Sequence, residues 1–241
     1  MPSDEPRRLA LDIETISPEL TADADPDWED PTDFELAAIG FAYDGPEAGG
    51  RLPRTQVLLR RAPGSNSEFD LLSRIRTELW SYAPDEIVTF GGDFFDIPML
   101  KQRPNLAVDR SDSDALTTDI TSVIERADSV DLSDPAAEAY EYGVTLEDLI
   151  RKEDLEIRHT KFNEYDHDLD LDSIRPRDAE AAYLDSSDIP GIMETWLHAR
   201  SDTDDSIGPC NVAATEAMIR DYIIGDIEHL LTLADKRPFN S

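Results

Sequence analysis

The segment from Arg8 to Glu14 (RLALDIE) constrains the fold most strongly, because it is apolar in its middle and carries carboxylates only towards its carboxyl end. This pattern is typical of a buried β-strand that delivers ligands to a cleft. Leu36 to Tyr43 (LAAIGFAY) and Thr55 to Arg60 (TQVLLR) are predicted as the next two strands, separated by a Gly- and Pro-rich turn at 44–53. Together the three segments predict a β-meander.

The later segments alternate between helical and strand patterns. Residues 68–80 place apolar side chains at helical spacing, and Ser67 precedes them as a predicted cap. The further predicted elements are a strand at 86–90, a helix at 94–102, a fifth strand near 115–120, a helix around 146–152 and a long helix over 211–236.

The domain organisation is predicted to be simple. No internal repeat and no long linker interrupts the chain, so residues 1–241 are expected to form one α/β domain. Within it we expect an acidic loop near 19–33, with Trp28 as its candidate anchor. The polar segment near 128–188 shows little periodicity and is only poorly placed by its pattern.

The balance of charge is far from neutral, with 54 Asp and Glu residues against 22 Lys and Arg and a formal net charge of -32. Such a surface repels itself in dilute buffer, whereas near 1 M salt the Debye length falls to about 3 Å and the repulsion is screened. The composition therefore favours a halophilic protein adapted to molar intracellular salt. The alternative is an acidic mimic of nucleic acid, although the acidic residues are dispersed rather than arrayed in one run.

The location in the cell is predicted from what the sequence lacks. Its longest apolar runs fall far short of the roughly 20 residues that a membrane span requires. The single cysteine, Cys210, has no partner for an intrachain disulfide, and no apolar stretch of signal-peptide length follows the polar start. We therefore expect a cytoplasmic protein with no membrane partner.

Asp12 and Glu14 are the first candidate ligands. Period-two alternation on a strand points both carboxylates to the same face of the sheet. Two like charges on a half-buried strand repel each other, and such a pair is favoured when a cation lies between them. The position at the end of an apolar strand distinguishes this Asp-x-Glu from the other copies in the chain. It predicts metal binding, with a solvated strand end as the alternative.

Two helices supply further candidates. Asp96 interrupts the apolar face of the helix at 94–102, where it either reaches a site or stabilises the helix amino end through the dipole. In the last helix, Tyr222 and Asp226 lie four residues apart on an apolar stripe. A buried carboxylate without a partner is costly, so Asp226 is expected to meet a cation or to lie at the open end of the stripe.

Three segments, taken in order, resemble the exonuclease motifs of the DEDD superfamily of 3′-to-5′ exonucleases, in its tyrosine subclass. They are LDIET at 11–15, TFGGDFFDIPML at 89–100 and YIIGD at 222–226. The middle segment is most similar to the proofreading domain of family-B DNA polymerases and their stand-alone relatives, whose pattern runs Asn-Gly-x-x-Phe-Asp-x-Pro-x-Leu. The matching residues are Gly92, Phe95, Asp96, Pro98 and Leu100, whereas Gly91 stands where the family usually has Asn.

The resemblance implies an RNase H-like fold with a five-stranded mixed sheet flanked by helices. It implies hydrolysis of single-stranded nucleic acid from its 3′ end, with DNA favoured, and two divalent cations, Mg²⁺ or Mn²⁺, as cofactors. Thr15 and Phe95 are the implied contacts to the terminal nucleotide, with packing in the core as the alternative role of Phe95. Gly91 occupies a third position beside that nucleotide, where it lacks the side chain that the family's Asn supplies.

The resemblance also implies a role for each of five side chains. Asp12 bridges both cations, Glu14 and Asp226 complete one metal site, and Asp96 holds the second cation largely through water. Tyr222 orients the attacking water. The bound cations offset the acidic field that would otherwise repel a phosphodiester.

Two alternatives stay open beside this hypothesis. A catalytically inactive nucleic-acid or protein-binding module on the same fold is compatible with Gly91. A phosphatase of the haloacid dehalogenase type is faintly suggested by an Asp at a strand end and by the Gly-Asp-x-x-Asp string at 92–96. Those enzymes use Asp-x-Asp and a Lys ahead of the second acidic motif, whereas the first Lys in this chain is Lys101.

Overall fold

Five β-strands form one mixed sheet in the computed structural model, which describes residues 6–18, 25–44, 54–107, 113–140, 143–174, 182–201 and 210–239. The strands are β1 (Arg8–Ile16), β2 (Glu35–Tyr43), β3 (Arg54–Leu59), β4 (Glu86–Thr89) and β5 (Asp128–Asp131), in the spatial order β3-β2-β1-β4-β5. The first three strands pair antiparallel, which confirms the predicted meander. β4 pairs parallel with both β1 and β5.

Helices cover both faces of this sheet. In chain order the described helices are α1 (Ser65–Tyr82), α2 (Asp96–Leu106), α3 (Ser113–Ile124), α4 (Ser133–Tyr140), α5 (Leu146–Lys152), α6 (Leu171–Ile174), α7 (Ile189–Ser201), α8 (Val212–Ile227) and α9 (Leu230–Asp235). The predicted α/β class with a five-stranded mixed sheet is therefore confirmed. None of the helices in the described ranges combines the length and the apolar character that a membrane span needs.

The alternation of side chains along β1 explains the two helical layers. Leu9 and Leu11 are buried in a core that includes residues of α1 and α3. Ala10 points to the opposite face and is buried with residues of α8 and α9. Because successive side chains on a strand alternate between faces, Asp12 and Glu14 share the face of Ala10. Both carboxylates therefore lie on the side of the sheet that α8 covers.

A glycine on the neighbouring strand lets α8 lie close to the sheet. A Cβ atom on Gly40 would lie 2.6 Å from Cγ2 of Ile223 and 3.0 Å from Cδ1 of Ile227. Real Cβ atoms essentially never approach another carbon so closely, so any larger residue at this position would push the helix away. Ile223 and Ile227 are fully buried in this contact.

The fifth strand lies later in the chain than predicted. Residues 115–120 belong to α3, whose buried Leu116, Ile120 and Val123 recur with the spacing of a helix rather than of a strand. The observed β5 is the polar run DSVD, which pairs with β4 at the edge of the sheet. A short edge strand buries little, so it leaves a weak apolar signal in the sequence.

Three helix boundaries also differ from the prediction. Ser67 lies inside α1, where its hydroxyl accepts hydrogen bonds from the backbone N–H groups of Arg61 and Ala62, and Gly64 occupies the cap position. The helix predicted from residue 94 begins at Asp96, and the predicted last helix is divided into α8 and α9.

The two regions that the sequence pattern placed poorly are partly described. Residues 19–24 of the predicted acidic loop lie outside the described residues, as do residues 45–53 of the predicted turn. The rest of the acidic loop contains a 3-10 turn at Pro31–Asp33. Within 128–188 the predicted helix at 146–152 is confirmed as α5. That residues 1–241 form a single domain stays a prediction.

Candidate metal centre

Three carboxylates from opposite ends of the chain converge on the α8 face of the sheet. Asp12, Glu14 and Asp226 each offer one carboxylate oxygen, and these oxygens all lie within 4.8 Å of one another. Asp12 and Glu14 point to the same side because they alternate with Ile13 on β1, as the period-two pattern predicts. A β-bulge follows directly between Glu14 and Thr15, so Thr15 leaves the regular register at the rim of the site.

α8 positions the third carboxylate and a tyrosine. Asn211 caps the amino end of the helix, and its side chain accepts a hydrogen bond from the backbone N–H of Ala214. Asp226 lies in its last turn, and Tyr222 lies one turn earlier on the same side. Burial raises the pKa of Tyr222 far above its usual value, and the neighbouring charge of Asp226 and a hydrogen bond between the two side chains add to this. The Tyr222 hydroxyl of the metal-free protein is therefore a proton donor that faces the carboxylates.

Asp96 approaches the cluster from the amino end of α2. Its side chain is buried, with the residue only 6% exposed. It is not among the three carboxylates that meet within 4.8 Å. It nevertheless lies close enough that its charge raises the pKa of Asp12 and of Glu14. Its own pKa is raised to about 7, first by burial and then by the charge of Asp131. The structure thus brings the four predicted carboxylates into one electrostatically coupled group.

Burial dominates the electrostatics of this group. Removal from water raises the pKa of Asp12, Glu14 and Asp226 well above the usual carboxyl range, and repulsion among the carboxylates raises it further. No Lys, Arg or His in the described ranges forms an ion pair with any of the four acidic side chains. A cluster of this kind is strongly stabilised in its charged form only when cations lie within it.

The donor set fits a hard divalent cation. All donors are carboxylate oxygens, and neither thiolate nor imidazole belongs to the group that meets within 4.8 Å. Mg²⁺ and Mn²⁺ favour oxygen ligands of this type. Asp12, Glu14 and Asp226 are the side chains that could hold one cation. Asp96 could hold a second cation together with Asp12, since Asp96 is the charged group that acts most strongly on Asp12.

Asp131 is a residue of this region that the sequence pattern did not reveal. Its carboxylate accepts hydrogen bonds from the backbone N–H groups of Gly91 (2.8 Å), Asp93 (2.9 Å) and Ser133 (2.9 Å). Burial would raise the pKa of Asp131, but these hydrogen bonds outweigh it and lower the pKa. Asp131 therefore stays charged and fixes the loop that leads into Asp96. The sequence carried no clear signal for it, because the strand that Asp131 ends is short and polar.

The remaining predicted contacts lie around Asp96. Gly91 adopts a positive φ of 79°, and no atom lies within 4 Å of the position that a Cβ would occupy there. Phe95 is partly buried and packs edge-on against Phe34 at 5.2 Å between ring centroids. Phe95 thus contributes to the packing of the fold while it lies next to Asp96.

The basic stretch Arg158 to Lys161, which the pattern could not place, runs beside α8. A Cβ on Gly225 would lie 3.0 Å from the carbonyl oxygen of Arg158, so a glycine is needed for this approach. The Arg158 guanidinium pairs with Asp221 and Glu228 on either side of Gly225. The contact holds the helix at the residue that directly precedes Asp226.

Comparison with known proteins supports the fold. No protein-family model and no curated protein matches the sequence. Among solved structures, the family B DNA polymerase from the hyperthermophilic archaeon Pyrobaculum calidifontis is similar, with a TM-score of 0.52 and 16% sequence identity. The similarity covers 96% of this chain and 24% of the polymerase, so the chain spans about a quarter of that protein's length. At this identity the likeness concerns the fold alone, and this chain has an RNase H-like α/β fold.

Proposed function

We propose that this chain is a metal-dependent 3′-to-5′ exonuclease that hydrolyses phosphodiester bonds of single-stranded nucleic acid, with DNA as the favoured substrate. One observation carries the proposal. Asp12, Glu14 and Asp226 of β1 and α8 meet within 4.8 Å, Asp96 of α2 raises the pKa of Asp12 and Glu14, and Tyr222 bonds to Asp226, with no cationic side chain paired to these carboxylates among the described residues. The three motifs that resemble the DEDD exonucleases are the segments that supply these side chains.

The proposed mechanism assigns each side chain a task. Bound Mg²⁺ or Mn²⁺ ions would activate a water molecule and stabilise the leaving oxygen. Asp12 would contribute to both metal positions, Glu14 and Asp226 would complete one of them, and Asp96 would serve the other. Tyr222 would orient the attacking water through its hydroxyl, as the resemblance to the tyrosine subclass implies. Positioning of this kind typically contributes on the order of 10- to 1,000-fold to the rate.

The alternative functions fit the geometry less well. A phosphatase of the haloacid dehalogenase type needs a lysine at its acidic site, and the Lys101 ammonium instead lies 3.6 Å from Glu125, which directly follows α3. An inactive binding module has no use for four coupled carboxylates, because their repulsion destabilises the fold when no cation is bound. The complete carboxylate set therefore favours a catalyst.

The test is a hydrolysis assay with a 5′-labelled single-stranded DNA and its RNA counterpart, in molar KCl with Mg²⁺ or Mn²⁺. We expect a ladder that shortens from the 3′ end, faster for DNA, and no products in EDTA. Asp12→Asn is the inactive comparison. Internal cuts without a ladder would identify an endonuclease, and an uncut strand with every metal would favour the binding module.

The conditions of the assay follow from the charge of the chain. A net charge of -32 predicts that the fold needs screening by salt, so the proposed setting is a cytoplasm with molar salt. A melt followed by circular dichroism is expected to show a higher midpoint at 2 M KCl than at 50 mM. A lower midpoint at 2 M KCl than at 50 mM would contradict the halophilic assignment. It would leave the proposed exonuclease function unaffected.

A further inference from the structure

An exposed aromatic surface lies at the amino end of α2, close in the chain to Asp96. Trp28 is 61% exposed and Phe94 is 68% exposed, although both are large apolar residues. Phe94 is separated from the buried Asp96 by Phe95 alone. With Pro98 and Gln102, these rings line a shallow cleft of about 90 Å³ at the amino end of α2. We call Trp28, Phe94 and Phe95 the aromatic platform.

The platform is ordered despite its exposure. The Trp28 ring lies 5.3 Å from the ring of Phe34, which is buried, and 5.3 Å from the ring of Phe95. Phe34 and Phe95 also contact each other edge to face. Such contacts stabilise aromatic pairs beyond simple burial. Trp28 is therefore held by two ring contacts while more than half of the residue stays exposed to solvent.

A buried ion pair holds the loop of Trp28 against the helix that carries Asp96. The Arg103 guanidinium of α2 donates to both carboxylate oxygens of Glu68, at 2.8 and 2.6 Å, and to the carbonyl oxygen of Pro31 at 2.9 Å. Glu68 also accepts from the backbone N–H of Leu36 at 2.7 Å. Both charged side chains are almost fully buried. A buried pair of this kind contributes little net stability. Its main effect is to fix the position of the Trp28 loop relative to α2.

The chemistry of the platform points to nucleobases. No Lys or Arg is among the described residues that line the cleft, and Glu29 is its one charged member. The nearby cations Lys101 and Arg103 are already paired with Glu125 and Glu68. A nucleic-acid strand at this surface therefore meets aromatic rings that can stack on its bases. Among the described residues that line the cleft it meets no Lys or Arg that could bind its phosphates.

We propose that Trp28 and Phe94 form a stacking surface for unpaired nucleobases of the strand whose 3′ end lies at the carboxylates. This inference rests on the proposed exonuclease function. It names the part of the strand that these two side chains contact, which is the unpaired bases near the 3′ end. Stacking of a base on an aromatic side chain depends little on which base it is. Removal of the ring typically weakens binding about 10-fold. It also persists in molar salt, where phosphate contacts weaken.

The first experiment measures binding without hydrolysis. A 5′-fluorescein-labelled oligothymidylate of twelve nucleotides is titrated with the protein in 2 M KCl and Ca²⁺, and its anisotropy is followed. Trp28→Ala and Phe94→Ala are each expected to weaken binding about 10-fold. Trp28→Leu preserves apolar contact with Phe34 and Phe95 but removes the stacking ring, so it should show the same loss with an unchanged melting temperature.

Trp80→Ala is the matched control. Trp80 is also exposed, at 55%, but it lies on α1 about 18 Å along the helix axis from Glu68, under the guanidinium of Arg126. Its removal is expected to leave binding unchanged. Equal affinities for wild type, Trp28→Ala and Phe94→Ala would overturn the inference, as would a loss in Trp80→Ala of the same size.

The second experiment locates the stacked base. Single abasic sites are placed at each of the four 3′-terminal positions of the same oligonucleotide. One abasic site should weaken wild-type binding and have no further effect in Trp28→Ala, because the stacking partner is already absent. Additive losses at all four positions would contradict direct stacking, and a change in sedimentation of the Phe94→Ala variant without a change in binding would assign the surface to self-association.

The two proposals fail in different ways. Hydrolysis of the strand by wild type together with undiminished binding by Trp28→Ala and Phe94→Ala would leave the exonuclease intact and overturn the stacking surface. Ring-dependent binding without hydrolysis under any metal would support the stacking surface and overturn the exonuclease. The absence of both hydrolysis and binding would overturn both.

Discussion

Asp12 and Gly40 lie opposite each other in the antiparallel pairing of β1 and β2. Partners in such a register point to the same face of the sheet, so the space above Gly40 adjoins the carboxylate of Asp12. Ile223 of α8 fills that space. The missing side chain at position 40 therefore sets how near α8, and with it Asp226, comes to Asp12.

Gly40→Ala is expected to destabilise the protein by about 1–3 kcal/mol and to weaken metal binding, because the added methyl group displaces α8. Chemical denaturation and calorimetric titration with Mn²⁺ measure the two effects. The double variant Gly40→Ala/Ile223→Ala should lose less than the sum of the single variants, since Ile223→Ala removes the colliding Cγ2. Strict additivity would contradict the proposed contact.

Asp96→Asn is expected to abolish hydrolysis and to reduce the number of Mn²⁺ ions bound from two to one, with the fold preserved. Asp93→Asn is the control, because Asp93 is an exposed carboxylate in the same loop, bonded to Ser129. It should keep both activity and metal stoichiometry. An active Asp96→Asn variant would remove Asp96 from the mechanism. Single Ala replacements of Asp12, Glu14 and Asp226 should likewise be inactive and folded.

Tyr222→Phe is expected to lower kcat by about 10- to 1,000-fold with near-normal metal affinity, because a positioning hydroxyl is lost while all ligands remain. Tyr165→Phe is the matched control, since the Tyr165 hydroxyl also donates to an aspartate of α8, Asp221, at 2.6 Å. It should retain full activity. Loss of metal binding in Tyr222→Phe would show that the tyrosine is structural and would end its assignment as the water-orienting group.

The stability of the metal-free protein should fall as the pH rises from 5 to 8. The pKa of Asp96 is about 7 in the folded protein, against roughly 3.9 for an unperturbed aspartate. The folded state therefore binds the proton more tightly, and the stability that this provides is fully present below pH 4 and lost as the pH passes 7. Urea unfolding in EDTA and 2 M KCl measures the trend. Asp96→Asn should make the slope shallower without abolishing it, because the pKa values of Asp12, Glu14 and Asp226 are raised as well. An unchanged slope would contradict the shift of Asp96.

Gly91→Asn tests the departure from the family pattern. Asn tolerates a positive φ better than other residues with a side chain, and a Cβ at this position meets no atom within 4 Å. We expect a folded variant with a lower KM for single-stranded DNA. Gly91→Ala carries the Cβ without the amide and should not lower KM. Equal kinetics of both variants would show that the amide has no partner on the substrate.

Much of the carboxylate cluster could be predicted from the sequence because each member interrupts an apolar pattern. Asp12 and Glu14 end a buried strand, and Asp226 lies on an apolar helix face, so their placement follows from local periodicity. The interpretation of Asp96 was less certain, since an acidic residue at a helix start also has a purely dipolar explanation. The convergence of all four in the fold is what distinguishes the two explanations.

The parts that escaped prediction depend on contacts between distant segments. Asp131 was missed because β5 is short and polar, so neither the strand nor its carboxyl end could be recognised. The pairing of Arg103 with Glu68 joins residues of two different helices, and no local sequence pattern predicts it. Trp28 was considered as an anchor of the acidic loop, but its neighbour Phe95 follows it by more than sixty residues.

The wide separation of Asp12 and Asp226 along the chain has a consequence during synthesis. More than two hundred residues are translated between them, so a ribosome-bound chain already contains β1 and α2 long before α8 emerges. Such a nascent chain lacks the last carboxylate and the apolar face that covers it. We therefore expect the proposed nuclease activity to be withheld until α8 has been translated, which protects nucleic acid near the ribosome from a partly folded chain. Stalled chains that end before residue 212 should be inert even when β1 to β5 have formed.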